Sequence, residues 1–223
     1  MSNDAQIDYW NGRAGEKWRA MQDDLDAMLA PVTAALMART GDVAGAAVLD
    51  IGCGDGSLME ALRLEKQVDA RGMELNREKV ANCMARGLPV IQGDANSDLA
   101  DYPDAAFDYA ILSQTLQTTM RPDLVIEQLL RIGTKAFVSF PNFAHWRVRL
   151  ALFWGGQMPV TRSLPVAWYE TENIHHVTID DFRALLKDRG VKVEGAWFLS
   201  GDKLTTSPAA NLLAEHAVFL LSR

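Results

Sequence analysis

The sequence predicts an α/β domain on a doubly wound, mostly parallel sheet that ends in a C-terminal antiparallel hairpin. Three observations carry this. Short apolar runs recur at Ala47–Ile51, Ala70–Leu75, Pro89–Gln92, Phe107–Leu112 and Ala136–Phe140, as buried parallel strands do. Amphipathic helical patterns alternate with them, which implies right-handed crossovers between parallel strands. The tail then changes rhythm. Val191–Leu199 and His216–Leu221 read as strands separated by a polar stretch containing Pro208, forming a hairpin at the sheet edge.

Residues 1–40 read as a helical segment, with Trp18, Met21, Leu25 and Met28 at helical spacing and Pro31 kinking or restarting it. Residues 41–223 hold the main domain. After the first strand come Gly52, Gly54 and Gly56, then the helix-like run Leu58-Met59-Glu60-Ala61-Leu62. Asn76 caps a helix whose Val80, Cys83 and Met84 share a face, and Gly87 stops it. Pro122 suits the first turn of a helix carrying Val125, Leu129 and Ile132, with Gly133 at its end. Thr178 and Asp181 form a capping-box pattern with a shorter acid than usual. Ile179, Phe182, Leu185 and Leu186 make the inner face of that helix, and Gly190 stops it. Residues 154–177 are rich in Gly, Pro and aromatics and lack periodicity, so they read as an inserted loop. A loop this long in a small domain is usually functional.

At 223 residues the chain suits one α/β domain with a decoration. Its 48% hydrophobic and 23% charged residues allow a real core. A net charge of −7 argues against a general nucleic-acid surface, which needs a basic patch. No apolar run approaches the ~20 residues that span a bilayer. The N-terminus is polar and acidic, unlike a signal peptide. The two cysteines, Cys53 and Cys83, belong to no metal-like cluster, so no metal is expected. A reduced, cytoplasmic setting is the simplest reading.

A strand, a Gly-rich turn and a helix together make a nucleotide-type cofactor site. Glycine lets backbone approach a ligand, and the helix N-terminus aims free N–H groups at it. The dinucleotide pattern G-x-G-x-x-G fails, because Ser57 holds its third glycine position. The stretch Asp50-Ile51-Gly52-Cys53-Gly54-Asp55-Gly56 reads D-x-G-x-G-x-G instead. This resembles motif I of the class I S-adenosylmethionine-dependent methyltransferases. The resemblance implies S-adenosylmethionine or S-adenosylhomocysteine as ligand. Asp50, Gly52, Cys53, Gly54 and Gly56 would form the methionine-side turn. Glu74 would bind both ribose hydroxyls, a task suited to a two-oxygen acceptor. Asp94 would contact the adenine amino group. Leu75 and Ala95 join the cofactor-binding set, and Ser113 and Gln114 would border the methionine moiety.

The second half narrows the family. Ile111-Leu112-Ser113-Gln114-Thr115-Leu116-Gln117 is followed by Val138-Ser139-Phe140-Pro141-Asn142-Phe143-Ala144-His145-Trp146-Arg147. Then come Gly156-Gln157-Met158-Pro159-Val160, Leu164-Pro165, Trp168-Tyr169, Asn173-Ile174-His175 and Asn211-Leu212-Leu213-Ala214-Glu215-His216-Ala217-Val218-Phe219. Over roughly residues 46–223 this ordered set resembles the MetW family of methionine biosynthesis. The resemblance implies a partner or activator of homoserine O-acyltransferase, with the methyltransferase fold serving binding or regulation. The alternative is an active methyltransferase on an unknown small-molecule acceptor. Two departures stand out. His176-Val177 replaces a less polar pair, and Tyr9-Trp10-Asn11-Gly12-Arg13-Ala14-Gly15-Glu16-Lys17-Trp18 resembles the lid-bearing opening of a different methyltransferase branch. A lid that excludes water suits chemistry.

Methyl transfer needs mainly in-line positioning, with a base optional. His145, His175 and His176 are the candidate bases. Against this, His145 reads as packed beside Trp146, and the His175-His176 pair as loop or interface residues. Asn142 reads as turn-forming, since Pro141-Asn142 inverts the Asn-Pro order that orients an amine in some methyltransferases. Arg147 and Arg149 read as a solvated face before an anion site. Trp154, Trp168 and Tyr169 either anchor a partner or close the core beneath the long loop. Trp10 and Trp18 read as core or lid packing.

Overall fold

The computed structural model describes residues 43–161, 167–201, 203–205 and 208–223. The helical reading of residues 1–40, with Trp10 and Trp18, lies outside them. The described strands are β1 (Ala47–Ile51), β2 (Asp69–Glu74), β3 (Val90–Gln92), β4 (Phe107–Ser113), β5 (Gly133–Pro141), β6 (Lys192–Ser200), β7 (Lys203–Thr205) and β8 (His216–Ser222). The helices are α1 (Ser57–Lys66), α2 (Arg77–Ala85), α3 (Pro122–Ile132), α4 (Trp146–Gly155), α5 (Ile179–Asp188) and the single turn α6 (Ala210–Leu213).

The strands form one sheet in the order β3-β2-β1-β4-β5-β8-β6-β7. Strands β1 to β5 are parallel, while β8 runs antiparallel to both β5 and β6. This is the class I methyltransferase-like fold. Side chains alternate across the sheet, as the two-residue period of a strand requires. Leu49, Leu112, Val138 and Phe219 enter one apolar layer with Val125, Leu129, Phe182 and Leu186. Val48, Ile111, Phe137 and Val218 enter the other with Leu58, Leu62, Val80 and Cys83. Because both faces are covered, the central strands are apolar at consecutive positions. On the first face, Phe140, Phe182 and Phe219 are fully buried, with the Phe182 ring 4.8 and 4.9 Å from its two neighbours.

Local signals act as expected at most element ends. Asn76 accepts hydrogen bonds from the Glu78 and Lys79 amides and caps α2. Pro122 opens α3, and Gly190 follows α5 with φ of 66°. Thr178 Oγ1 caps α5 by accepting from the Asp181 amide at 3.1 Å. The short Asp181 carboxylate bonds that same hydroxyl, at 2.7 Å, so the box closes on itself.

Three readings change. The C-terminal strands do pair, but β8 lies inside the sheet, between β5 and β6. Its Ala217, Val218, Phe219 and Leu221 are buried on both faces, a burden only an interior strand can meet. The polar connection holds β7 and α6. Met84 points outward, with 61% exposure, and the inner face of α2 is Val80 with Cys83. Gly133 ends α3 as expected and, being extended, also starts β5; a Cβ there would stand 2.7 Å from the Ala110 amide nitrogen. Finally, Trp154 and Gly155 belong to α4.

Asn142 follows β5, is 1% exposed, and pins three segments. Its Nδ2 donates to the Asn211 and Ala214 carbonyls at 3.0 and 2.8 Å. Its Oδ1 accepts from the Ala144 amide at 3.1 Å and the Ile179 amide at 3.4 Å. The turn-forming reading is thereby extended to a structural clasp. Asn142→Ala is expected to cost about 2–4 kcal/mol, since several buried backbone groups lose partners. Urea unfolding monitored by tryptophan fluorescence would measure it.

Candidate functional site

Parallel strands β1 to β5 present their C-terminal ends along one edge. The strand order reverses between β1 and β4, and such a switch point opens a crevice there. Every candidate cofactor residue read from the sequence lies at or just beyond one of these strand ends.

The turn after β1 is tied to β2. The Gly52 and Cys53 amides both donate to the Met73 carbonyl, at 2.8 and 3.1 Å. The Gly54 amide donates to Glu74 Oε2 at 2.9 Å. Gly52 has φ of 68°, and a Cβ would stand 2.5 Å from Thr115 Oγ1. Gly56 has φ of 81° and caps α1, where a Cβ would meet Leu88 at 2.6 Å. These two positions need glycine for conformation and for space. At Gly54 a Cβ would meet nothing within 4 Å, so its backbone faces open space.

Asp50 is 1% exposed, and its Oδ2 is buried without a hydrogen-bond partner. Burial, then the carboxylates of Glu74 and Asp55, push its pKa up to about 8. Glu74 accepts the Asn76 amide on Oε1 at 2.9 Å in addition to Gly54. Asp94, after β3, accepts from the Asn96 amide and side chain at 2.9 and 2.8 Å. Leu75 offers its carbonyl to Gln92, and Ala95 packs against the core. Ser113 and Gln114 end β4 beside Ser139, whose hydroxyl lies 3.2 Å from Ser113 Oγ and 3.1 Å from Gln114 Nε2. Gln114 has φ of 54°, a left-handed conformation that a side chain rarely takes and that its bonds to Ser139 hold. Cys53 is buried, and its thiol pKa is raised by burial and then by the Asp50 and Glu74 charges. That leaves its backbone as the useful part.

The candidate bases are engaged elsewhere. Buried His145 sits at the start of α4, with its ring 5.8 Å from Trp146. Its pKa is lowered by burial, with Glu215 opposing and Arg147 adding to the effect. His175 Nε2 lies 3.3 Å from the Met120 carbonyl, and His176 stands edge-on to Phe143. Arg149 donates to the Ala144 carbonyl, while Arg147 lies over Trp146, so the two do not converge. Trp154, Trp168 and Tyr169 are 74, 71 and 68% exposed, which removes the core-closing alternative. Phe153, at 80%, joins them and had no sequence signal beyond its apolarity. Among the described residues, no three of His, Cys, Asp and Glu are grouped to hold a metal, and no helix is long and apolar enough to cross a membrane.

Sequence reasoning missed Glu172 and Gln117. Glu172 Oε1 and Gln117 Oε1 are buried without partners. The Glu172 pKa rises to about 8 through burial, with Lys79 opposing and Glu74 adding. Nothing in the aperiodic Trp168–Asn173 stretch marks Glu172 as an acid with a buried oxygen.

A family model described as methionine biosynthesis protein MetW matches residues 37–221. The bifunctional methionine biosynthesis protein MetXA/MetW of Rhodopirellula baltica is 32% identical over 192 residues. That match covers 81% of this chain but 31% of the relative, so this chain spans under a third of its length. The ubiquinone biosynthesis O-methyltransferase of Xanthomonas oryzae pv. oryzae is 33% identical over 172 residues, covering 72% of this chain and 70% of that protein. Among solved structures, magnesium protoporphyrin IX methyltransferase from Synechocystis PCC 6803 with bound SAH gives a TM-score of 0.67 at 18% identity, covering 100% of both chains. A SAM-dependent methyltransferase from Archaeoglobus fulgidus gives 0.62 at 17%, covering 86% of this chain and 93% of the other. At these identities the likeness shows the fold.

The Asp50 carboxyl yields a pH prediction. Its folded pKa, about 8, lies above the unfolded value of 3.8, so the folded state holds the proton more tightly. Its contribution to stability is therefore full below pH 3.8 and is lost as pH rises through about 8. Between those limits the slope for this one group is about −1.4 kcal/mol per pH unit. Asp50→Asn is expected to flatten the stability–pH curve relative to the wild type and to be the more stable protein at pH 8.5. Urea titrations from pH 5 to 9 would show it.

Proposed function

Since the chain belongs to the MetW family of methionine biosynthesis proteins, we propose that it binds an S-adenosyl ligand and acts as partner and activator of homoserine O-acyltransferase. One observation carries the reading: a relative whose name joins MetXA and MetW as one bifunctional protein, and whose similarity runs over 81% of this chain. Joining two activities in one polypeptide is what selection for their association favours, because a linker keeps the second part at high effective concentration. The exposed Phe153, Trp154, Trp168 and Tyr169 support it, since aromatic side chains often dominate interface energetics.

The crevice fits an S-adenosyl ligand. Each Glu74 oxygen accepts one amide and keeps capacity for a ribose hydroxyl. Asn96 occupies one Asp94 oxygen, and in this reading the other accepts the adenine amino group. The buried, unpartnered Asp50 Oδ2 calls for a donor such as the ligand's α-ammonium. The open backbone at Gly54 admits close approach. When bound, S-adenosylmethionine supplies a sulfonium methyl group. In the partner reading its presence reports methionine supply, and the acyltransferase is the output.

A second reading, an active methyltransferase on a small acceptor, is favoured by the 33% identity to a ubiquinone biosynthesis O-methyltransferase. The two separate on one preparation. In the partner reading the acyltransferase from the same organism co-elutes with this protein at micromolar concentration and its rate rises. Failure to co-elute overturns that reading, and turnover of S-adenosylmethionine with cell metabolites supports the second. By calorimetry with S-adenosylhomocysteine, Glu74→Ala is expected to weaken binding at least tenfold. An unchanged titration would remove Glu74 from the site.

A further inference from the structure

Residues 172–177 cross the C-terminal edge of the sheet as a strap. The Ile174 and His175 amides both donate to the Gln117 carbonyl, at 2.9 and 3.0 Å. His175 Nε2 reaches the Met120 carbonyl at 3.3 Å. Farther on, the Phe143 amide donates to the Val177 carbonyl at 3.1 Å, and the His176 ring stands 4.8 Å from that of Phe143. The strap is thus fastened beyond β4 and beyond β5. Its first residue, Glu172, lies close enough to Glu74 and Lys79 for both charges to act on it.

Three buried side-chain oxygens on the elements that flank this crevice have no hydrogen-bond partner: Asp50 Oδ2 at the end of β1, Gln117 Oε1 beyond β4, and Glu172 Oε1 on the strap. Asp50 and Gln117 are 1 and 6% exposed. Gln117 Oε1 is an acceptor outright, and each carboxyl becomes one when its proton leaves. Buried acceptors without donors are costly, and proteins rarely leave them so. Three around one crevice describe a ligand that brings its own donors and positive charge. The Gln117 amide is independent of the carboxylates, so the pattern is more than an acidic cluster. Gln117 is also fixed, since its Nε2 donates to the Gln114 carbonyl at 2.6 Å and so presents its oxygen away from that bond.

Resting on the S-adenosyl reading above, we propose that Glu172, held over the crevice by the strap and acting with Asp50 and Gln117, makes the site select the cationic sulfonium ligand over the neutral thioether. S-adenosylmethionine and S-adenosylhomocysteine share every hydrogen-bonding group. They differ by one methyl group and one positive charge, so a contact geometry alone separates them weakly. A buried carboxylate separates them strongly, because little water screens it. The selection suits a sensor, which must respond to the methylated form and ignore the product that accumulates when methyl groups are spent.

The charged groups facing Glu172 are Glu74 on β2 and Lys79 at the start of α2; those facing Asp50 are Glu74 and Asp55. Both carboxyls ionise around pH 8 in the free protein. A cationic ligand favours their ionised forms, so its binding releases protons and its affinity rises with pH. S-adenosylhomocysteine brings only the α-ammonium that both ligands share, so it releases fewer protons and its affinity rises less steeply with pH.

The test is calorimetry on the full chain with S-adenosylmethionine, S-adenosylhomocysteine and the cationic amine analogue sinefungin. At pH 7.5 the wild type is expected to bind the two cationic ligands at least tenfold more tightly than S-adenosylhomocysteine, a difference of about 1.4 kcal/mol. Glu172→Gln is expected to cut that ratio at least fivefold, while S-adenosylhomocysteine affinity stays within twofold. Without any variant, the wild-type ratio should rise from pH 6 to 8.5, with proton release seen in buffers of different ionisation enthalpy. Equal wild-type affinities, a pH-independent ratio, or a Glu172→Gln loss equal for all ligands overturns the selectivity and leaves the S-adenosyl reading standing. No binding of any ligand overturns both.

Discussion

Three backbone amides hold the site together. Gly52 and Cys53 donate to the Met73 carbonyl and Gly54 donates to Glu74, so the turn after β1 is fastened to the end of β2. With that attachment the glycine turn, the β2 acid and the start of α1 become one rigid corner. Its geometry sets the other constraints. Gly52 must pass Thr115, and Gly56 must pass Leu88, at distances no side chain permits. The corner lies at the switch point of the sheet, where the flanking crossovers leave on opposite faces. Asp50, Glu74 and Asp94 are thereby brought to one edge, though they are separated by 24 and 20 positions along the chain.

The corner gathers like charge. The charges of Glu74 and Asp55 act on Asp50, and the charge of Glu74 acts also on Glu172 at the start of the strap. Carboxylates arranged so are unfavourable for the isolated fold, which answers by holding the proton on two of them. Such an arrangement is offset when a bound cation neutralises it, and perturbed carboxyls in clefts cluster at functional sites. The clasp at Asn142 and the aromatic layer of Phe140, Phe182 and Phe219 supply the rigidity against which this local cost is set.

Legibility followed locality. Capping by Asn76 and Thr178, the start at Pro122, and the five parallel strands were readable because each depends on neighbours within a few residues. Glycine spacing in the β1 turn was readable for the same reason. The interior place of β8 was half-readable. Its unbroken apolar run signals burial on both faces, but the rhythm of the tail suggested an edge. Gly133 is the helix end its position indicates, but its 2.7 Å approach to Ala110, on the neighbouring strand, was not readable because it depends on the sheet. Met84 sat on the right helix and the wrong side, since neighbouring positions straddle the boundary of the buried stripe. Glu172 was not readable at all: its role depends on where an aperiodic segment crosses the sheet.

The sequence by itself determined the type of sheet, the corner after β1 and the two strand-end acids that follow it, because backbone chemistry and two-residue alternation act locally. It also carried the likeness to the MetW family, through motifs beyond the cofactor turn. Tertiary structure alone decided which acceptors are buried without donors, which histidines are occupied, and that Trp154, Trp168 and Tyr169 stand in the open. Those properties belong to the space between segments distant in the chain. Burial and the nearness of other charges, not residue type, turn a carboxyl such as Asp50 or Glu172 from a solvated acid into one that keeps its proton near neutral pH.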